Sequence, residues 1–367
     1  MCKTNKRKSF SQKPPASQTI AITGGGTMGH ISPLLALSSS LKKTYKKVIY
    51  LGRANSMEEK MAKKYNIEFY PIDAISFNRK NLLLNIKIPY MIHKSTKAVM
   101  QIFKKNKVDV LLSKGGFVSV PAVAAAKKCH IPYFIHESDL TLGLANKIAQ
   151  KHATKIFVST KQTKDSVPKK FQAKTVVTGI PVDKKFCKNN FLSIKNTYNL
   201  PQNAKIILFT GGSQGATTIN NAVKNLIGEL TKKYFVVLIS GKGKTTHISA
   251  KNFLEIEFSS VMPELMHRSH IIISRAGATT IFEGLAAEKP MILVPLKKSK
   301  YSRGDQEENA IYFSNLKIAR VISEDSLETK LMRVINDIEN NYTKITSAIS
   351  AYNKSHKQTN IIEEMTK

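Results

Sequence analysis

Twice in this chain an apolar, β-branched run passes directly into a glycine-rich turn and then into a helical pattern, first at Ile20–Gly29 and again at Ile206–Gly215. A strand that hands over to a helix through glycines is the opening unit of a doubly wound parallel sheet. The glycines permit the sharp turn and a close approach of backbone to ligand. The rest of the pattern agrees. QTIAIT, KVIYL, VDVLL, PYFIH, KIFVS and KTVVT read as strands in the first half, and AKIILFTGG, FVVLIS, HIIIS and MILVP in the second. Helical stretches such as ISPLLALSSSLKK and VPAVAAAKK lie between them. Such alternation predicts parallel sheets covered by helices on both faces. The expected fold class is α/β, with two Rossmann-like domains hinged near Gly179–Pro181 and a cleft at the carboxyl ends of the strands. The expected limits are a flexible basic tail over 1–18, a first domain over 19–180, a second over 181–345 and a helical segment over 346–367. The stretch Ser326–Met365 as a whole reads as helical and polar.

Charge narrows the partners. The chain has 367 residues, and 58 Lys+Arg stand against 25 Asp+Glu, a formal net charge of +33. An excess of this size points to an anionic partner: nucleic acid, a phosphate-bearing substrate or a membrane surface. Most of the basic residues are Lys, so a lysine-rich coding background is the plain alternative. Such a background would load both halves alike, whereas residues 1–180 hold 32 basic and 8 acidic side chains and residues 181–367 hold 26 and 17. Nucleic-acid binding is disfavoured, because zinc-finger spacing, an RNP-type aromatic motif and a recognition helix are all missing. No run reaches the roughly 18 apolar residues of a membrane span. Cys2, Cys129 and Cys187 are odd in number and widely separated, which fits a reducing compartment and neither a disulfide framework nor a zinc site. The first 18 residues hold five basic and no acidic side chains and lead into no apolar segment, so a secretory signal is not expected and a cytoplasmic protein is.

The turns carry the chemistry. In Thr23–His30 the pattern G-x-G-x-x-G falls on Gly24, Gly26 and Gly29. The second strand ends in Tyr50-Leu51-Gly52-Arg53 rather than in an acid, which counts against NAD and leaves NADP open through Arg53. His30 is either a helix-entry side chain with a local hydrogen bond or a general base, kept neutral by the helix N-terminus. The second half has two turns, Gly211–Ala216 and Ser274–Thr280, that can each offer backbone N–H groups to a diphosphate. Two of them, with Arg275 beside one, favour a nucleotide diphosphate. The lack of a Walker-type Lys-Ser/Thr ending argues against ATP hydrolysis. Glu283 is either an exposed helix residue or the acceptor for a ribose diol. Asp305 and Gln306 either cap a helix or hydrogen-bond the hydroxyl groups of a sugar.

GGTMGH, HESDLTLGLANK, GGSQGA, SRAGATTIFE and SRGDQEENA follow one another in order over about residues 19–345. This ordered set resembles the MurG family of UDP-N-acetylglucosamine:lipid I N-acetylglucosaminyltransferases. The resemblance implies a GT-B fold and inverting transfer of N-acetylglucosamine from UDP-GlcNAc to the 4-hydroxyl of the MurNAc unit of lipid I. The product is lipid II, for peptidoglycan and cell wall synthesis and so for cell shape and division. It implies no cofactor and no metal. Its partners would be UDP-GlcNAc, lipid I, the anionic cytoplasmic face of the cell membrane and other cell-wall synthesis proteins, with no nucleic acid.

Residue by residue, the resemblance puts the acceptor loop on Thr27, Met28 and Gly29, where Met28 replaces a glycine and must take a negative φ. His30 and Asp139 are rival bases, Asp139 standing where Asn is usual. Donor binding falls on Ser213, Gln214 and Gly215, on Ser259 for the uracil, on Arg275, Gly277, Ala278, Thr279 and Thr280, and on Glu283 for the ribose. Asp305 and Gln306 would read the sugar. Asn146 keeps the G-L-x-N-K pattern, and Lys184 stands near the place of the family's arginine. Another GT-B transferase, such as one that glycosylates diacylglycerol, is the rival enzyme. Finally, Phe77–Ile92 mixes bulky apolar residues with Lys and Arg. It is either a buried helix or a membrane patch built on Leu82, Leu83, Leu84, Ile86 and Ile88.

Overall fold

A computed structural model describes residues 15–74, 86–187, 197–198, 200–299, 303–356 and 359–367. The chain forms two units, one of residues 1–137, 142–178 and 359–367, the other of residues 138–141 and 179–358. The sequence-based limits differ from these chiefly at the end of the chain. The segment expected as one piece over 346–367 divides, and its last nine residues join the first unit.

The first unit holds a seven-stranded parallel sheet. Its strands are β1 (Thr19–Thr23), β2 (Lys47–Gly52), β3 (Glu68–Pro71), β4 (Val108–Ser113), β5 (Tyr133–Glu137), β6 (Lys155–Val158) and β7 (Thr175–Val177), in the order β3-β2-β1-β4-β5-β6-β7. All five residues of β1 are buried. Strand alternation sends Ile20 and Ile22 into one apolar layer, with Ile31, Leu34, Phe134 and Phe157, and Ala21 into the opposite layer, with Val99 and Phe103. The helix Ile361–Thr366 completes the first of these layers by burying Ile361, Ile362 and Met365. Lys155 fastens it: its Nζ donates to the Glu364 carbonyl at 2.6 Å and to the Glu364 carboxylate at 3.1 Å.

The second unit holds a six-stranded parallel sheet. Its strands are β8 (Ile206–Thr210), β9 (Phe235–Ile239), β10 (Phe253–Ile256), β11 (Ile271–Ser274), β12 (Met291–Leu293) and β13 (Ala319–Val321), in the order β10-β9-β8-β11-β12-β13. The stretch read as polar and helical is in fact amphipathic. Helices Leu327–Asn340 and Tyr342–Ser355 bury Leu331, Ile335, Ile338, Ile345 and Ile349 in the core of this unit. These residues recur at helical spacing, so their few apolar side chains share one face.

The strands that sequence patterning misses are β3, β10 and β13. All three are edge strands with exposed or half-buried positions, as in Glu68-Phe69-Tyr70-Pro71. Edge strands need no continuous apolar run, so the signal that betrays an interior strand is absent there. In both sheets the direction of winding reverses beside the first strand, between β1 and β4 and between β8 and β11. At such a switch point the loops leaving the two strands diverge and open a crevice. All of the glycine turns singled out above lie on those loops.

Candidate active site

In the first unit, the loop after β1 is made of residues that tolerate no side chain. A Cβ on Gly24 would lie 2.6 Å from the His30 carbonyl oxygen, and a Cβ on Gly25 would collide with the Glu58 carboxylate. Gly26 has φ +91°, where glycine alone is unstrained. Thr27 is extended, and the helix Met28–Ala36 begins directly after it. Met28 is the first residue of this helix and is not among the residues with positive φ, so a side chain is accommodated where the family has glycine. His30 faces back toward Thr27: its Nδ1 lies 3.0 Å from Thr27 Oγ1, and its N–H donates to the Thr27 carbonyl at 3.1 Å. When Nδ1 carries the proton and Thr27 Oγ1 accepts it, Nε2 keeps its lone pair, which is the tautomer a base requires.

The loop after β4 supplies a part that sequence reading missed. Gly115 and Gly116 have φ +89° and +78°. A Cβ on Gly116 would lie 2.6 Å from the Gly25 carbonyl oxygen and 3.6 Å from His30 Cδ2, so this glycine pair is what lets the two loops and the imidazole meet. The available signal was a Gly-Gly pair directly after a strand. Asn146, grouped above with the donor residues, belongs to the first unit, whereas the other expected donor residues lie in the second. Its Nδ2 donates to the His136 carbonyl at 3.0 Å and to Glu137 Oε2 at 2.9 Å, and Glu137 Oε2 also accepts from the Gly143 N–H at 2.8 Å. Arg53, the residue that kept NADP open, has its Nε 3.9 Å from Glu58 and its guanidinium over the Phe117 ring at 5.1 Å.

In the second unit, the turn after β8 closes through the Gly215 N–H donating to the Gly212 carbonyl at 3.0 Å, with φ +76° at Gly212 and +68° at Gly215. It carries Ser213 half-buried and Gln214 exposed, and leads into helix Thr217–Leu230. The turn after β11 leads through Gly277 into helix Ala278–Ala286, on whose first turns Thr279, Thr280 and Glu283 lie. Both helices therefore present N-terminal N–H groups beside the switch point.

Arg275 is paired within its own unit. Its guanidinium donates to Glu324 at 2.6 Å and to the Val294 carbonyl at 3.2 Å, so its charge is matched inside the protein. Burial pushes the Glu324 carboxyl up, but the hydrogen bond and charge of Arg275, with a hydrogen bond from Thr218, outweigh burial and hold it below the usual carboxylate range. Ser259 is buried, and its Oγ accepts from the Tyr198 hydroxyl at 3.1 Å and from the Val261 N–H at 3.2 Å. Lys184 is exposed on a short 3-10 turn over Lys184–Cys187.

Asp139 lies in the short segment that groups with the second unit. Its carboxylate accepts from Arg303 at 3.0 Å and from Asn309 Nδ2 at 3.4 Å. Arg303 also lies 3.7 Å from Asp305. These contacts secure the turn at Gly304, φ +84°, which starts helix Asp305–Asn315, and Gln306 Oε1 accepts from the Leu296 N–H at 3.0 Å. The Asp139 carboxylate is thus engaged on both oxygens, one by Arg303 and the other by Asn309. Of the membrane patch, Leu82, Leu83 and Leu84 lie outside the described residues. Ile86 is exposed, and Ile88 opens helix Ile88–Asn106, on which Tyr90 is exposed. Among the described residues no cluster of three or more metal-type ligands occurs, and no helix is long and apolar enough to cross a membrane.

Comparison with known proteins agrees with this geometry. Residues 20–158 match the glycosyltransferase family 28 N-terminal domain and residues 206–365 match the glycosyltransferase family 28 C-terminal domain. A UDP-N-acetylglucosamine–N-acetylmuramyl-(pentapeptide) pyrophosphoryl-undecaprenol N-acetylglucosamine transferase of Clostridium botulinum is 38% identical over 326 residues, covering 88% of this chain and 91% of the relative. The enzyme of the same name from Staphylococcus aureus is 35% identical over 353 residues, covering 95% and 98%. The crystal structure of Acinetobacter baumannii MurG superposes with a TM-score of 0.68 at 22% identity, covering 95% of this chain and 98% of that one, a likeness of fold.

Proposed function

Since the chain belongs to glycosyltransferase family 28, and within it to the UDP-N-acetylglucosamine–N-acetylmuramyl-(pentapeptide) pyrophosphoryl-undecaprenol N-acetylglucosamine transferases, we propose that it moves N-acetylglucosamine from UDP-GlcNAc to lipid I. The attacking group is the 4-hydroxyl of the MurNAc unit, and the product is lipid II with an inverted, β-linked sugar. The observation that carries this reading is the placement of the glycine turns after β1, β4, β8 and β11 on switch-point loops, one set beside an imidazole and the other beside two helix N-termini.

In this reading His30 removes the acceptor proton while Thr27 orients its ring. As the bond from the sugar to UDP breaks, negative charge grows on the diphosphate. The N–H groups at the starts of helices Thr217–Leu230 and Ala278–Ala286, with Ser213 and Thr279, stabilise that charge. Arg275 acts by bracing the second turn against Glu324 rather than as a bare cation. Glu283 accepts from the ribose hydroxyls, the backbone near Ser259 meets the uracil, and Gln306 meets the sugar. The test is transfer of labelled N-acetylglucosamine to a lipid I analogue, with the product anomer read by NMR. A β-linked disaccharide product is expected. Release of free N-acetylglucosamine alone, or transfer to diacylglycerol in preference, would overturn the assignment.

The acceptor carries a lipid, and the reading places the protein on the cytoplasmic face of the membrane beside other cell-wall synthesis proteins. Support comes from the concentration of basic residues in the first 180 positions and from the exposed Ile86 and Tyr90 flanking Lys87. Replacing Leu82, Leu83 and Leu84 together with Ser should weaken binding to anionic vesicles by about tenfold while sparing turnover of a water-soluble acceptor. Undiminished sedimentation with such vesicles would remove this stretch from the membrane contact.

A further inference from the structure

Glu58 is absent from every expected list of site residues, yet the glycine loop after β1 is built around it. Helix Met57–Lys64 starts at the Ser56 cap and places Glu58 in its first turn, 1% exposed. A carboxylate buried to this degree is costly unless it is paired and hydrogen-bonded. Glu58 Oε1 accepts from the Gly26 N–H at 3.0 Å and lies 3.9 Å from Arg53 Nε. The absent side chain of Gly25 makes room for the same carboxylate. On the far side of the loop, a Cβ on Gly26 would come within 2.9 Å of the Phe117 ring, over which Arg53 lies. The Tyr50 hydroxyl donates to the Gly24 carbonyl at 2.5 Å, and burial, with the nearby Glu58 charge, pushes that phenol far above its ordinary range, so it stays a donor. The loop is thus gripped at three successive glycines, and Glu58 holds the middle and the last.

We propose that Glu58 is a positioning residue for the transfer reaction. By tying down the Gly26 N–H it holds the left-handed turn at Gly26, and that turn sets where Thr27, His30 and the helix N-terminus stand. The inference rests on the reading that this loop serves the acceptor. Its chemistry predicts a specific ranking. Glu58→Gln keeps an oxygen for the Gly26 N–H and should retain kcat within about threefold, whereas Glu58→Ala should lower kcat by about tenfold or more. The KM for UDP-GlcNAc, whose proposed residues lie in the other unit, should stay unchanged in both.

The decisive experiment is a double-mutant cycle of Gly25→Ala with Glu58→Ala, read in thermal stability and in kcat. Gly25→Ala alone drives a methyl group into the carboxylate. With the carboxylate removed, the same change should cost several-fold less by both measures. Equal costs in the two backgrounds would overturn the proposal, as would a Glu58→Gln variant as slow as Glu58→Ala. Coupling in stability with no change in kcat would leave Glu58 structural and likewise overturn it. If the wild-type protein fails to glycosylate the lipid I analogue, the functional reading fails, while the coupling in stability is still measured. Should Glu58→Ala not fold, Glu58→Met takes its place: it fills similar space without an acceptor, so faster exchange of the Gly26 amide and a lowered kcat are expected, and an unchanged kcat would overturn the proposal.

Discussion

His30→Ala should lower kcat for transfer to a lipid I analogue by about 10²- to 10³-fold, the range expected for loss of a general base. KM for UDP-GlcNAc should change little, because His30 belongs to the first unit and the proposed donor residues to the second. Thr27→Ala should reproduce part of the loss, since it removes the partner at 3.0 Å that orients the imidazole. Asp139→Asn should retain at least a tenth of the rate. Its carboxylate is engaged by Arg303 through one oxygen and by Asn309 through the other, and an amide keeps one oxygen, enough for the shorter bond from Arg303. The pair of variants separates the rival bases. A His30→Ala enzyme at full rate excludes His30, and an Asp139→Asn enzyme slowed a hundredfold with His30 intact would transfer the role to Asp139.

The second large effect concerns the donor turn, where two glycines with similar φ should respond very differently to Ala. At Gly212, φ +76°, a Cβ would meet nothing within 4 Å, so Gly212→Ala should cost only the left-handed penalty, about 1–2 kcal/mol. At Gly215, φ +68°, a Cβ would strike the Ser240 carbonyl oxygen, which is backbone and cannot swing aside. Gly215→Ala should therefore cost roughly 2–5 kcal/mol, the same penalty plus overpacking. Thermal unfolding should show a drop of several degrees more for Gly215→Ala than for Gly212→Ala. Calorimetry should find UDP binding weakened at least tenfold by Gly215→Ala, because the turn that aims the N–H groups is displaced. Equal losses at both positions would mean that the turn is plastic and that close packing at Gly215 does not shape the site.

Legibility followed the range of the interactions. The interior strands announced themselves through unbroken runs such as Ile271-Ile272-Ile273, since both faces of a parallel sheet must be covered. The turns after β1, β8 and β11 were visible because a strand, a glycine and a helix are consecutive in the chain. Helix Ile361–Thr366 was legible as a helix, but its return to the first unit was not. Its apolar residues fit any core, and the tie that places it joins Lys155 to Glu364, 209 residues apart. Arg275 and Asp139 were noticed for their charge, but their partners were hidden. Arg275 meets Glu324 from 49 residues away, and Asp139 meets Arg303 from 164.

By itself, then, the sequence determined the α/β class, the interior strands and the glycine turns at their ends, because these depend on periodicity and on the conformational freedom of single residues. The tertiary structure alone decided which charges are open and which are matched, how edge strands close each sheet, and that a glutamate 32 residues beyond Gly26 stands behind the loop. Those outcomes depend on side chains that meet only after the sheets have formed, and no local pattern records which carboxylate will meet which N–H group.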